Sequence, residues 1–421
     1  MTDAITLGVE ATNDTQQEFS NLSKKRVLII EDLGEMRSML KSLVTSMGYT
    51  NVDVESSGQS ALKRILETQY DVVLSDYNLG GSVDGQQILE ASRKTYSQDY
   101  SNIFIMITAD TSYERVVSAL EFQPDSYLVK PFPPNAFFRR FERVKKQKKV
   151  FEEINNARKE NDYEKMEVLS KAVMKQYPHF ANLCLKTIGE SLYARGKYKD
   201  AKAHYARIIQ KNEKLAWAHF GIALCELKLG TVVAAIKKLE HTIDLSRHFL
   251  SAYDLLADAY EDLGNLEEAQ ATILDVLKAS PRSSDRVLKL AQLSMHMKDW
   301  TTAEHAYARL IRLTRETSHE KVDYYYDYLK CLTNLLIIEP DNIKINDKFK
   351  RILYRLRSFG KTNPIAMSNS YRVEIQHYLA NKNKSEAIRS WMQWQQLMKS
   401  GEATQLTEAQ TYTLKKRLGL L

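Results

Sequence analysis

Between residues 26 and 148 the chain alternates between two hydrophobic periods. Short, nearly continuous apolar runs end in polar or charged residues: RVLIIED (26–32), YDVVLSD (70–76), NIFIMIT (102–108) and SYLVK (126–130). Runs of this kind suit strands buried on both faces of a parallel sheet. A weaker alternating segment, NVDVES (51–56), supplies one more strand. Helix-period stretches separate them at about 34–48, 58–67, 85–95, 112–121 and 135–149. The alternation predicts a doubly wound, five-stranded parallel α/β sheet. In such sheets ligands sit at the carboxyl ends of the strands.

Past residue 150 only the helical period remains, and it repeats. Gly189, Ala223, Ala257 and Ala291 are spaced by 34 residues. Seven residues after each stand Gly196, Gly230, Gly264 and Lys298; twelve after stand Ala201, Ala235, Ala269 and Ala303. Sixteen after come Tyr205, Leu239, Ile273 and Tyr307. Small residues at the first and third positions let two helices approach closely. Glycine at the second lets the first helix stop in a left-handed turn. The unit is a helical hairpin, and this pattern resembles the tetratricopeptide repeat over about 184–316. A weaker copy, with Tyr163 and Pro178 shifted by one residue, precedes it at about 150–180. After 318 the phase degrades while helical periodicity continues, and the last stretch, YRVEIQHYLANKNKSEAIRSWMQWQQLM, reads as a further repeat-like pair. The resemblance implies an all-α superhelix with a concave binding surface. Lys186, Arg195 and His219, on the first helices of their pairs and outside the periodic positions, are candidates to face that groove.

The strand ends carry the unusual chemistry. The first apolar run ends in Glu31-Asp32, the third strand in Asp76, the fourth in Thr108-Ala109 and the fifth in Lys130-Pro131. A single acidic strand end is ordinary. Three carboxylates, a hydroxyl and a lysine converging on one sheet edge fit phosphoryl transfer onto a carboxylate. Clustered carboxylates need a hard divalent cation, and Mg²⁺ accepts oxygen ligands. A lysine opposite supplies positive charge for phosphoryl oxygens, and a hydroxyl can hydrogen-bond the product.

Residues 26–148 therefore resemble the receiver domain of bacterial response regulators. The resemblance rests on Glu31-Asp32, on Asp76 in SDYNLGG, on Thr108-Ala109 and on Tyr127 through Lys130-Pro131. It implies that Asp76 is the phosphoacceptor and that Asp32 binds Mg²⁺ directly. Glu31 would act nearby through water, and Asn78 would offer its backbone carbonyl to the metal. Thr108 is implied as the switch hydroxyl, Tyr127 as the switch aromatic and Lys130 as the phosphate-binding lysine, its bond to Pro131 often being cis in this family. The sequence departs from the family in a slightly longer loop after Asp76, NLGGSVDG, without the common proline, and in QPDS before Tyr127.

Composition and charge refine this picture. With 15 Gly and 8 Pro in 421 residues, the chain is suited to long helices with short connections. No window approaches a membrane-spanning apolar run. The N-terminus lacks the basic patch and apolar core of a secretory signal, so residues 1–24 read as a polar, mobile tail. Cys184, Cys225 and Cys331 show no metal or redox spacing and read as reduced core residues of a cytoplasmic protein. Residues 1–150 hold 18 Lys+Arg and 20 Asp+Glu, a net of −2 against +7 for the whole chain, so the basic excess lies in the second part. Two basic stretches, 139–149 and 348–361, could touch nucleic acid, but no recognised DNA-binding module accompanies either.

The expected organisation is a tail (1–24), a receiver (25–149), tetratricopeptide-like repeats (150–316) and a degenerate helical region (317–421). The receiver would take a phosphoryl group from a sensor histidine kinase or phosphotransfer protein, and the repeats would bind a protein partner. No separate catalytic output domain is expected. Two rivals are a nucleic-acid-binding regulator acting through the basic helices, and a phosphate sink or kinase modulator.

Overall fold

The computed structural model describes residues 22–81, 83–95, 101–109, 124–247, 249–281, 283–315 and 320–421. Most of the expected tail and the whole helix expected over 112–121 lie outside these residues. The described residues form two compact units, one ending at Ala259 and one running from Tyr260 to Leu421.

The first unit opens with strands β1 (Arg26–Ile30), β2 (Asn51–Glu55), β3 (Val72–Asp76), β4 (Ile103–Thr108) and β5 (Ser126–Val129). All pair in parallel, in the order β2-β1-β3-β4-β5. Helices α1 (Gly34–Ser46), α2 (Gly58–Glu67), α3 (Gly85–Thr95) and α4 (Pro134–Val150) cover the sheet. Val27, Ile29, Leu74 and Ile105 pack with Leu40 and Val44 of α1 and with Phe137 and Phe141 of α4. The alternate residues Leu28, Ile30, Val73 and Phe104 pack on the other face with Ile65 of α2 and Ile88 and Leu89 of α3. Alternate side chains thus enter two cores, which is why the runs are continuously apolar. Each such side chain fully buried contributes about 1.5–3 kcal/mol.

A single residue, Phe151, separates α4 from α5 (Glu152–Lys159). Phe151 shares a core with Ile154, Ala157, Met166 and Cys184, against which Val150 packs. The last receiver helix therefore ends inside the packing of the first hairpin. That hairpin is α5 with α6 (Tyr163–Gln176); then follow α7 (Ala181–Ala194), α8 (Tyr198–Lys211), α9 (Ala216–Lys228), α10 (Val232–Leu245) and α11 (Leu250–Asp262). Gly196, Gly230 and Gly264 adopt φ of 72°, 80° and 78°, the left-handed turn expected of them, and Asn161 takes the same conformation in the earlier copy (φ 57°). The small positions are buried as the period demands: Ala201, Ala223 and Ala235 are all fully buried. At Gly189 the need is steric. The Tyr205 ring of α8 lies against Gly189 of α7 and Gly221 of α9, and a Cβ on either would collide with it.

The second unit continues with α12 (Leu266–Ala279), α13 (Ser284–His296), α14 (Trp300–Thr314), α15 (Val322–Ile338), α16 (Ile343–Gly360), α17 (Pro364–Ala380), α18 (Lys384–Ser400) and α19 (Glu408–Leu418). Lys298 occupies the left-handed turn position in place of glycine (φ 60°). The turn between α17 and α18 repeats the device with Lys382 (φ 56°). Relative to that turn, Ile375, Ala387 and Trp391 stand where the earlier repeats hold their anchor, their Ala and their large apolar residue, and all three are buried. The period is lost because these helices are longer, 17 residues each.

Candidate functional site

The sheet register brings the predicted residues to one edge. Ser75 of β3 lies opposite Ile30 of β1, and Asp76 opposite Ile107 of β4. Thr108 lies opposite Val129 of β5, so Glu31, Asp32, Asp76, Thr108 and Lys130 all emerge at the carboxyl ends. Carboxylate oxygens of Glu31, Asp32 and Asp76 lie within 4.8 Å of one another. Glu31 is fully buried, Asp76 nearly so at 6% exposure, and Asp32 is exposed.

Lys130 is the one cation among them. Its Nζ donates to Glu31 Oε2 at 2.7 Å and to Asp76 Oδ2 at 2.9 Å. Among the described residues, Asp76 Oδ1 makes no hydrogen bond. Three carboxylates face one ammonium, and Glu31 and Lys130 both respond to it. Burial raises the Glu31 carboxyl above its ordinary value; the hydrogen bond from Lys130 opposes this without cancelling it, and the Asp76 charge adds to the rise. Burial alone would lower Lys130, but its bonds to Glu31 and Asp76 outweigh that and hold the ammonium above its usual range. A set of hard oxygen donors with surplus negative charge fits a hard divalent cation such as Mg²⁺.

Thr108 is buried, and its carbonyl accepts from the Lys130 amide at 2.7 Å, which ties the lysine to the end of β4. The Lys130-Pro131 bond is cis. Tyr127 packs beside Tyr77 against the core that holds Leu28 and Phe104. Burial, with Tyr77 adding to it, pushes its phenol well above the usual range. Asn78 lies exposed in the loop after Asp76.

Three supporting residues went unnoticed in the sequence. Arg37, on the first turn of α1, donates to the carbonyls of Glu31 at 2.6 Å and Asp32 at 3.2 Å, pinning the backbone that presents both acids. Gly85 opens α3 against the backbone of Asp76 and Tyr77, where a Cβ would collide with the Asp76 carbonyl. Its amide closes the loop onto Tyr77 O at 2.9 Å. Gly80 takes the left-handed conformation in that loop (φ 65°), with Asp32 Oδ2 3.5 Å from where its Cβ would stand. Glycines spaced through the SDYNLGGSVDG segment (75–85) were the available signal; Arg37 had none beyond its place early in a helix.

Elsewhere the candidates separate. Arg195 is held by Glu167 at 2.8 Å and by Glu164 on the preceding helix, and His219 is 4% exposed with Nε2 2.8 Å from Glu213 O in the loop before its own helix, so both are engaged in local packing. Lys186 is half-buried. Half of the six cations in the basic stretch 348–361 are paired: Lys348 with Glu304 at 2.8 Å, Arg355 with Glu320 at 3.0 Å and Arg357 with Glu374 at 2.7 Å. In the stretch 139–149, Lys148 pairs with Asp125 at 2.6 Å. Arg139, Arg140, Arg143, Lys146 and Lys149 are exposed.

Comparison with known proteins agrees with this architecture. Residues 27–142 match the family of response regulator receiver domains, and residues 186–245 and 250–283 match tetratricopeptide repeats. The chain therefore carries a two-component receiver domain followed by tetratricopeptide repeats. It is similar to the chemotaxis protein CheY of Pseudomonas aeruginosa, 27% identical over 130 residues that make up 31% of this chain and 98% of that protein. A CheY-like receiver domain from Methanospirillum hungatei is 24% identical, covering 30% of this chain and 96% of its own, with a TM-score of 0.27. A tetratricopeptide repeat protein from Parabacteroides merdae is 16% identical, covering 64% of this chain and 97% of its own, with a TM-score of 0.36. Among the described residues, no helix is long and apolar enough to cross a membrane.

Proposed function

We propose that this chain is a response regulator that accepts a phosphoryl group on Asp76 and uses its helical repeats to bind a protein partner in a phosphorylation-dependent way. The donor is a sensor histidine kinase or a phosphotransfer protein. One observation carries the reading: Lys130 bridges Glu31 and Asp76 at the strand ends through Asp76 Oδ2, and among the described residues Asp76 Oδ1 makes no hydrogen bond.

In this reading Asp76 Oδ1 attacks the phosphorus of phosphohistidine. A P–O bond forms as the P–N bond breaks, and the electron pair stays with the imidazole. Lys130 places its ammonium beside the developing phosphoryl charge. Glu31, Asp32, Asp76 and the Asn78 carbonyl would hold Mg²⁺, which when bound neutralises charge between the acids and the incoming phosphoryl oxygens. Thr108 hydrogen-bonds the product, and Tyr127 follows it. The phosphoryl group carries about −1.5 to −2 charge in place of the single carboxylate charge it consumes, and its new acceptor oxygens can repopulate those two side chains. The α4–Phe151–α5 continuity carries the change toward the repeats, since no Gly or Pro interrupts residues 135–177.

We assign the receiver to 25–149, the repeats to 150–316 and the degenerate helical region to 317–421. No separate catalytic domain belongs to this scheme. The buried free cysteines fit a reducing cytoplasm. The ion pairs along 348–361 weigh against nucleic acid as the partner.

The test is direct. An acyl-phosphate donor with Mg²⁺ should label the wild type and fail to label Asp76→Asn. Undiminished labelling of the variant would move the acceptor elsewhere.

A further inference from the structure

A cavity of about 540 Å³ opens in the second unit, between α16 and α17 and beside the turn that follows α17. Its size falls within the range of ligand sites, roughly 300–1,000 Å³. None of its lining residues lies within the segments that match tetratricopeptide repeats.

The wall is apolar and aromatic on one side. Phe349 stacks on His377 with ring centroids 4.1 Å apart and an interplanar angle of 21°. Tyr354, at the cavity, is 79% exposed, an unusual amount for a large aromatic side chain.

The polar side has one acid, Glu374, and it is already neutralised. Arg357 donates to it at 2.7 Å and lies 4.5 Å from the centroid of the Tyr371 ring. His377 is nearly buried, and burial, reinforced by the nearby Lys350 charge, holds its imidazole neutral. Lys350 is exposed at the cavity and makes no ion pair among the described residues. The cavity therefore presents a net positive charge. Two polar atoms of its lining residues, Asn381 Oδ1 and Arg357 Nε, are buried without a hydrogen-bond partner. Leaving such groups unmet costs stability, so a ligand that meets them gains by it. The Asn381 amide nitrogen lies 3.4 and 3.3 Å from the two ring nitrogens of His377, and the soft terminal torsion lets the amide exchange that contact for an incoming group.

An occupant that satisfies all of this carries a carboxylate for Lys350, a donor for the Asn381 amide oxygen and a flat surface for Tyr354. A peptide chain with an Asp or Glu side chain has the three together: charge, main-chain N–H and planar amide. We infer that this cavity binds a short acidic peptide segment of a protein partner. The inference rests on the reading of the helical repeats as a protein-binding region, and it locates the binding outside the repeats that match the family.

The experiment pans a phage library of random peptides, about a dozen residues long, on the immobilised full-length protein. Selected peptides are then titrated against wild type, Lys350→Glu, Tyr354→Ala and a control outside the cavity lining, Lys186→Glu. Lys350 and Tyr354 are exposed, so neither substitution threatens the fold, and circular dichroism checks this. The expected result is enrichment of Asp and Glu, with affinity falling about tenfold in Lys350→Glu. Tyr354→Ala should lose about threefold, and Lys186→Glu should bind as wild type. Selected peptides that bind both cavity variants at full strength overturn the cavity assignment and leave the protein-binding reading standing. Failure to select any acidic peptide overturns the inference as well, and in that case a peptide set that depends on Lys186 would still support the repeat surface itself.

Discussion

Glu31 in the receiver and Glu304 in the helical region are both buried acids, at 0% and 6% exposure, yet their environments move them in opposite directions. Glu304 has its own cation, Lys348 at 2.8 Å, and accepts from Tyr328 at 2.6 Å; against the effect of burial, these hold its carboxyl below the ordinary value. Glu226 is treated alike: burial raises it, but Lys202 and Thr231 together prevail and lower it. Glu31 shares its one lysine with Asp76, and burial wins. A buried charge with its own counter-charge is part of a packed structure. Buried acids that outnumber their cations leave room for a further positive species. The molecule keeps this imbalance at the sheet edge. In the helical region His377, buried beside Lys350, is instead held neutral, its imidazole pushed down to about 4.

The sharpest way to break this contrast is to remove the shared lysine. Lys130→Ala should slow labelling of Asp76 by an acyl phosphate by about 10²-fold, the usual consequence of losing one preorganised donor to the reacting oxygens. A rate within threefold of wild type would mean that Lys130 serves folding alone.

The next effect is on stability. The folded His377 imidazole resists protonation, while the unfolded one takes a proton near 6.5. Its contribution is therefore complete above pH 6.5 and is lost as pH falls toward about 4. The loss should be about 2–3 kcal/mol, read by hydrogen exchange in α17, and His377→Phe should flatten that slope. An unchanged slope in the variant would assign acid sensitivity to other groups.

Packing in the repeats gives a comparable test. Gly189→Ala should cost about 1–3 kcal/mol by driving a methyl into the Tyr205 ring. Adding Tyr205→Leu, the residue type at the equivalent position 239, should recover part of it. Equal losses in the single and double variants would show that the glycine matters for another reason.

The smallest effect is at the turns. Lys298 sits where Gly196, Gly230 and Gly264 sit, with φ 60°. Lys298→Gly should raise thermal stability by about 1 kcal/mol or less by relieving the left-handed strain, set against a more flexible unfolded chain.

Much of this molecule is legible in the order of its residues. The strands expected at 26–32, 51–56, 70–76, 102–108 and 126–130 coincide with those observed to within two residues at either end. The acids and the lysine were legible because they interrupt apolar runs that otherwise have no place for charge. The hairpins were legible because small residues recur at a fixed spacing wherever helices cross closely.

The rest depends on contacts between residues far apart in the chain. Arg195 and His219 look like groove residues from their place on a helix, yet Glu164, Glu167 and the carbonyl of Glu213 claim them. The basic run at 348–361 looks like a charged face until Glu304 and Glu374 arrive from other helices and Glu320 from the segment before α15. The C-terminal hairpin lost its period because its helices lengthened, while its Lys382 turn and its Ala387 contact were kept. Periodicity and strand-end chemistry are local, set by which way successive side chains point, so the sequence alone determined the two architectures and the edge on which the acids gather. Long charged side chains reach partners that only the packing of distant elements supplies, so the tertiary structure alone decided which charges are matched and that Glu31 and Asp76 must share Lys130.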